Sequence, residues 1–374
     1  MSEPETPEPD RLPGAPHPRE TARLLGHEAA ERAFLDAFAS GRLHHAWLIT
    51  GPQGVGKATL AWRAARFLLA RPAEVRDGLF GAPEPPETLD VPPDHPVARR
   101  LAALSEPRLF LLRRPLDDRT KKLRHEITVD ATRRLKSFFA LSAAEGGRRV
   151  VIVDAADEMN RAAANALLKL LEEPPPEATL LLVCHSPARL LPTIRSRCRT
   201  LRLRPLGAGD LAEALRAAGA APVEGPTAPG LAALAEGSVG AAFQLVEADG
   251  LAFYGDLCQL FAAAPGIDRP SAIALSQKPG AEGFPLALHL TETFLARLAR
   301  TGISGPPEPE AVPGEAAALA RLAPDPAAAR AWAVLAQEAG DRARHGFAVN
   351  LDPAALLLDM FLRVDGAARP SVPA

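Results

Sequence analysis

The chain has 374 residues, 47% apolar and 24% charged, the balance of a globular protein that buries a core in two or three domains. Lys and Arg number 43 against 45 Asp and Glu, a net charge of −2, which excludes a global attraction to nucleic acid and leaves only local patches. Three scattered cysteines, Cys184, Cys198 and Cys258, exclude a disulfide framework and paired zinc ligands.

Residues 1–20 carry six prolines and few large apolar side chains, so a disordered tail is expected, with order beginning near Thr21–Arg23. The N-terminus is unlike a signal peptide, and no apolar run approaches the ~20 residues of a membrane span, so a cytosolic protein without membrane contact is expected. A helix is predicted around Glu28–Ala39. The apolar run His45–Thr50 then stops at a glycine-rich loop, beyond which Leu60, Ala61, Ala64, Phe67 and Leu68 repeat at helical spacing. Pro, Gly and acidic residues dominate 71–97, which reads as an exposed loop or insertion. Four more apolar runs follow, at Leu109–Leu112, Val150–Val153, Leu180–Cys184 and Thr200–Leu203, with helical stretches near Val129–Ala144 and Asn160–Glu173 between them. Short buried strands alternating with helices predict a parallel sheet covered on both faces. After Pro205 the pattern turns helical, with a linker expected at Gly266–Gly283 and a Pro-rich loop at Gly305–Pro313.

The segment Gly51-Pro52-Gln53-Gly54-Val55-Gly56-Lys57 fits G-x-x-x-x-G-K between a predicted strand and a predicted helix, as a phosphate-binding loop requires. Gly51, Gly54 and Gly56 let backbone N–H groups curl around phosphate oxygens, while Lys57, one of six lysines, reaches the terminal phosphates. The next position should hold a hydroxyl for Mg²⁺ and holds Ala58 instead. Thr59 lies one residue late, about 100° around the helix. Arg148-Arg149-Val150-Val151-Ile152-Val153-Asp154 reads as the second NTPase strand, with Asp154 as its metal-directed carboxylate. Ala155 stands where a water-polarising glutamate commonly follows; Glu158 is a candidate replacement, or with Asp157 simply starts a turn.

Val153-Asp154-Ala155-Ala156-Asp157-Glu158-Met159-Asn160, Asn165 to Pro175 (NALLKLLEEPP) and Ile194-Arg195-Ser196-Arg197-Cys198 together resemble the clamp-loader branch of the AAA+ proteins, over about residues 21–250. The resemblance implies an AAA+ P-loop α/β domain at 21–205, a helical lid at 206–265 and an all-α collar at 275–374. It also implies assembly with motor and clamp-opening subunits that place a sliding clamp on primed DNA. Gly237-Ser238-Val239-Gly240 is similar to the family's second sensor segment, with Gly240 in place of its arginine. The hydroxyl, the carboxylate and the lid arginine are thus all missing, so intrinsic ATPase activity is not expected. Whether Gly51, Gly54, Gly56, Lys57 and Asp154 still hold ATP stays open. Arg197 would be an arginine finger acting in a neighbour's ATP site, or else one of many surface arginines. The family's four-cysteine zinc module has no counterpart in 71–107, so zinc is not expected.

Arg108, Arg113, Arg114, Arg119, Lys121, Lys122 and Arg124 form a basic cluster that either touches DNA phosphates or flanks a strand as a solvated loop; the second reading is favoured. Cys184 is expected buried, with His185 or Ser186 near a nucleotide as alternatives, and Trp47, Trp62 and Phe110 in the core. Leu356, Leu357, Met360 and Phe361 offer a face for subunit packing. Two rivals remain: an active AAA+ ATPase using Lys57, Asp154 and Glu158, and a small-molecule phosphoryl-transfer enzyme. The second leaves Arg197 and the helical regions without a purpose.

Overall fold

The computed structural model describes residues 8–71, 86–117, 119–120, 122–141, 147–221 and 227–369. Five strands, β1 (Ala46–Thr50), β2 (Leu109–Arg113), β3 (Arg149–Asp154), β4 (Ala178–Cys184) and β5 (Arg199–Arg202), form one parallel sheet in the order β2-β3-β4-β1-β5. The three central strands are buried along their whole length, which is why they read as continuous apolar runs rather than alternating ones. Helices α1 (Glu28–Ala39), α2 (Lys57–Ala70), α3 (Pro96–Ala102), α4 (Val129–Leu141), α5 (Arg161–Glu172), α6 (Pro192–Arg195) and α7 (Ala208–Ala217) complete this part. On one face Leu135 and Phe139 of α4 and Ala164, Leu167 and Leu171 of α5 join the strands in a single core cluster. On the other, Phe34 of α1 lies 5.0 Å from the Trp47 ring and Phe38 lies 4.9 Å from Phe67 of α2. Trp47 and Trp62 are buried as expected, while Phe110 packs half-buried against the core.

Eight helices follow: α8 (Thr227–Ala235), α9 (Val239–Glu247), α10 (Gly250–Ala262), α11 (Arg269–Gln277), α12 (Gly280–Ser304), α13 (Glu315–Leu322), α14 (Pro326–Ala348) and α15 (Pro353–Ala367). The chain divides into two compact units: Met1–Gly219 with Ser238–Gly240, and Ala220–Gly237 with Ala241–Ala374. Within the second, α12 lies along α14, and α15 packs on α11, α12 and α14. Phe261 sits 5.0 Å from Phe294 and 5.7 Å from Phe361. The buried Glu315 accepts from Tyr254 Oη (2.6 Å), Arg297 Nε (2.6 Å) and the Ala311 N–H (2.6 Å), tying α10, α12 and the 305–314 loop to α13.

Three expectations change. Residues 8–20 of the expected tail are packed, not disordered, although residues 1–7 lie outside the described residues. His17 is 0% exposed, its ring meets Trp62 edge-on at 6.2 Å, and Glu8 and Asp10 pair with Arg113 at 2.9 and 2.7 Å. Paired charges, invisible to composition, replace the missing apolar side chains. The expected linker at Gly266–Gly283 contains α11, capped where the Asp268 carboxylate accepts the Ser271 N–H at 2.9 Å and started by Pro270 in its first turn. α7 groups with the sheet, and α10 and α11 pack with the later helices. Leu356, Leu357, Met360 and Phe361 are buried inside the helical unit instead of offering a packing face; Leu351 and Leu362 are exposed. Much of the 71–97 loop, residues 72–85, and residues 142–144 at the end of the helix expected from Val129 lie outside the described residues.

Candidate functional site

The glycine-rich loop leaves the C-terminal end of β1, and α2 starts at Lys57 with Gly56 as its N-cap, as the spacing predicts. Gly54 adopts φ +76, and a Cβ there would collide with Ser238 Oγ, so only glycine fits. Ser238 Oγ donates to the Gln53 carbonyl at 2.8 Å and the Gly240 N–H donates to the Gly54 carbonyl at 3.1 Å. Residues 238–240 therefore close directly over the loop. A Cβ on Gly240 would sit 3.2 Å from Gly54 Cα, so the side chain missing at that position would begin against the loop backbone. Below, His27 Nε2 donates to the Val55 carbonyl at 2.8 Å; burial pushes this imidazole below its ordinary value, despite that bond.

Lys57 is buried and turned onto its own loop. Its Nζ donates to the Gly51 carbonyl at 2.8 Å and to the Pro52 carbonyl. Burial lowers its pKa to about 8, against the opposing pull of Asp154 and Asp157. Asp154 ends β3 opposite Arg113 of β2, is 7% exposed, and its Oδ2 has no hydrogen-bond partner among the described residues. Burial, reinforced by Asp10 and Glu158 and opposed by Lys57, raises its pKa to about 7. Ala58, on the first turn of α2, offers no hydroxyl.

A 3-10 turn at Ala156–Glu158 divides the next two carboxylates between different tasks. Asp157 accepts the N–H groups of His185 and Ser186, both at 2.9 Å, fixing the end of β4. Burial would raise its pKa, but those N–H donors hold it below the ordinary value. Glu158, the candidate water-polarising group, instead pairs with Arg114 at 2.9 Å. Cys184 is buried, and burial pushes its thiol up to about 12. His185 is drawn down to about 4, first by burial and then by the Lys57 charge. His185 and Ser186 thus serve Asp157 through their backbones.

Arg197 lies elsewhere. It follows α6 and precedes β5, whose Arg199 pairs with Trp47 near the start of β1 and whose Arg202 pairs with Thr50 at its end. At about 3.3 Å per residue, four strand residues put roughly 13 Å of sheet between Arg197 and the loop. The structure brings Gly51, Gly54, Gly56, Lys57 and Asp154 together and leaves Arg197 at the opposite sheet end. Its Nη2 is 2.8 Å from the Glu172 carboxylate.

The basic cluster is largely neutralised within the chain: Arg108 pairs with Glu106 (2.8 Å), Arg113 with Glu8 and Asp10, Arg114 with Glu158, and Arg124 with Asp117 (3.4 Å). Lys121 lies outside the described residues. Sequence reasoning missed Asp10, Asp157's task, His27 and Glu172. Asp157 and Glu172 stood inside quoted motifs, whereas nothing in the sequence marked Asp10 or His27.

Comparison with known proteins fits this layout. Residues 26–207 match the family described as DNA polymerase III, delta subunit. Over that span, just under half of the chain, it is similar to this DNA polymerase III subunit family. A DNA polymerase III subunit delta′ from Pseudomonas aeruginosa is 39% identical over 156 residues, 41% of each chain. A subunit gamma from Buchnera aphidicola is 37% identical over 51 residues, 14% of each. The chain thus spans about two-fifths or less of the curated relatives it matches. Among solved structures, a gamma subunit-related protein from Thermotoga maritima overlaps 91% of this chain and 100% of its own at 16% identity and a TM-score of 0.42. The RuvB branch migration motor of the same organism overlaps 77% and 80% at 15% identity and a TM-score of 0.39. The first unit carries the glycine-rich loop and parallel sheet expected of an AAA+ α/β core, and among the described residues after β5 the regular elements are helices. Among the described residues, no helix is long and apolar enough to cross a membrane.

Proposed function

We propose that this chain is the non-motor, delta-prime-type subunit of a bacterial DNA polymerase III clamp loader, a cytoplasmic component of the replisome. It would assemble with gamma/tau motor subunits and the delta subunit and help place the sliding clamp on primed DNA. It belongs to the DNA-directed DNA polymerase holoenzyme without carrying out nucleotidyl transfer or ATP turnover itself. The observation that carries this reading is the state of the loop: Lys57 is engaged by the Gly51 and Pro52 carbonyls, Glu158 by Arg114, and positions 58, 155 and 240 lack the groups hydrolysis needs.

Arg197, half-buried at the far sheet end, is out of reach of its own loop. A guanidinium beside a transferring phosphoryl group accelerates the reaction by ~10³–10⁵ in related systems, so its use is in a neighbour's site. The test is DNA-stimulated ATP hydrolysis by a reconstituted loader containing this chain intact or as Arg197→Ala, with the chain alone as baseline. Silence of the chain alone and a loss of tenfold or more at one site of the assembly are expected. Hydrolysis by the isolated chain that Lys57→Ala abolishes would instead establish an active motor-type ATPase.

A further inference from the structure

Both terminal nitrogens of Arg197 are already engaged. Nη1 donates to the Thr193 carbonyl at 3.1 Å, and Nη2 meets Glu172 Oε1 at 2.8 Å. That pair of nitrogens is the fork with which an arginine grips phosphoryl oxygens, and a carboxylate on it cancels the charge that makes the grip useful. Local spacing does not force the contact, because the two partners come from different elements. Glu172 closes α5, whose last turn is held at this sheet end where His45 Nε2 donates to the Leu171 carbonyl at 3.1 Å. Arg197 sits in the turn after α6.

We infer that Glu172 is the resting counter-ion of Arg197 and regulates it, holding the guanidinium on its own chain until a neighbour's nucleotide competes it away. The inference rests on the trans-acting reading of Arg197 given above. Glu172 is a positioning residue: it touches the arginine and no reacting atom. The two side chains are 36% and 49% exposed, so the pair is weak and readily exchanged. An exposed pair of this kind biases an equilibrium by at most about fivefold. A latch requires that weakness, since a stronger pair would keep the arginine from any phosphate.

Two measurements separate the inference from the reading beneath it. In the full-length chain, phenylglyoxal modification of Arg197, followed by mass spectrometry, is expected to run two- to fivefold faster in Glu172→Gln, with buried Arg297 unchanged as a folding control. Glu172→Asp, which keeps the carboxylate on a shorter arm, should fall between. In the reconstituted loader at subsaturating ATP, Glu172→Gln is expected to raise DNA-stimulated hydrolysis two- to fivefold, and to have no effect once Arg197 is alanine. Unchanged labelling of Arg197 overturns the latch outright. Faster labelling with unchanged or lowered hydrolysis, or the same gain in the Arg197→Ala background, overturns the regulatory role while leaving the finger intact. Hydrolysis indifferent to Arg197→Ala itself overturns the finger and the latch together.

Discussion

The carboxylates around the loop show how little a residue's identity says about its task. Asp157, Glu158 and Asp154 lie within five positions, yet one caps a strand, one pairs with an arginine and one is buried without a donor on Oδ2. Asp157→Ala is expected to cost about 2 kcal/mol or more, because it orphans two backbone N–H groups at once; urea denaturation of the full chain measures it. Asp10 gives the pH dependence. Burial would raise its pKa above 3.8, but His17 and Arg113 outweigh burial and lower it. A carboxylate lowered in the fold stabilises above its unfolded pKa and stops doing so as pH falls through the folded one. The 8–20 segment is therefore expected to stay protected at neutral pH and loosen below about pH 4. Asp10→Asn should loosen it already at neutral pH, read as faster hydrogen exchange at the Glu20 and Thr21 amides that bond the His17 carbonyl. Lys57 and Asp154 were legible because the chemistry fixes them at set distances from strand ends. Asp10 was not, since its partner Arg113 is 103 residues away.

At the scale of elements, sequence reading succeeded where one physical signal dominates. The three central strands are apolar runs buried along their whole length, and α1 falls on Glu28–Ala39 as expected. It failed at α11, inside the expected linker, where Asp268 serves as the cap and Pro270 as a first-turn proline of a short helix. Asp268→Ala is expected to cost about 1 kcal/mol through loss of that cap, measured as a lower denaturation midpoint. The loop and the 238–240 segment form a comparable local device. Gly54→Ala meets both a left-handed backbone and Ser238, so a loss of about 1–3 kcal/mol is expected in the same measurement. Trimming Ser238 to alanine should recover part of it.

Across the whole molecule, packing between helices distant in sequence was the least legible property, because it leaves no local mark. Glu315 illustrates this: one buried carboxylate gathers groups from α10, α12 and the loop before α13, which no spacing rule anticipates. Glu315→Ala leaves Arg297 buried without its counter-charge, and about 3–5 kcal/mol should be lost from the helical unit's unfolding transition, followed by urea denaturation.

The parallel sheet also gives the first unit a direction, loop at one end of the strands and Arg197 at the other. Units that offer an arginine from one end to a neighbour's loop join head to tail, and such a contact never pairs like with like. In an arc that stays open, one terminal position has a loop facing empty space and an arginine facing inward. A protomer with an idle loop can stand there without silencing any seat of hydrolysis, whereas anywhere else in the row it would remove one.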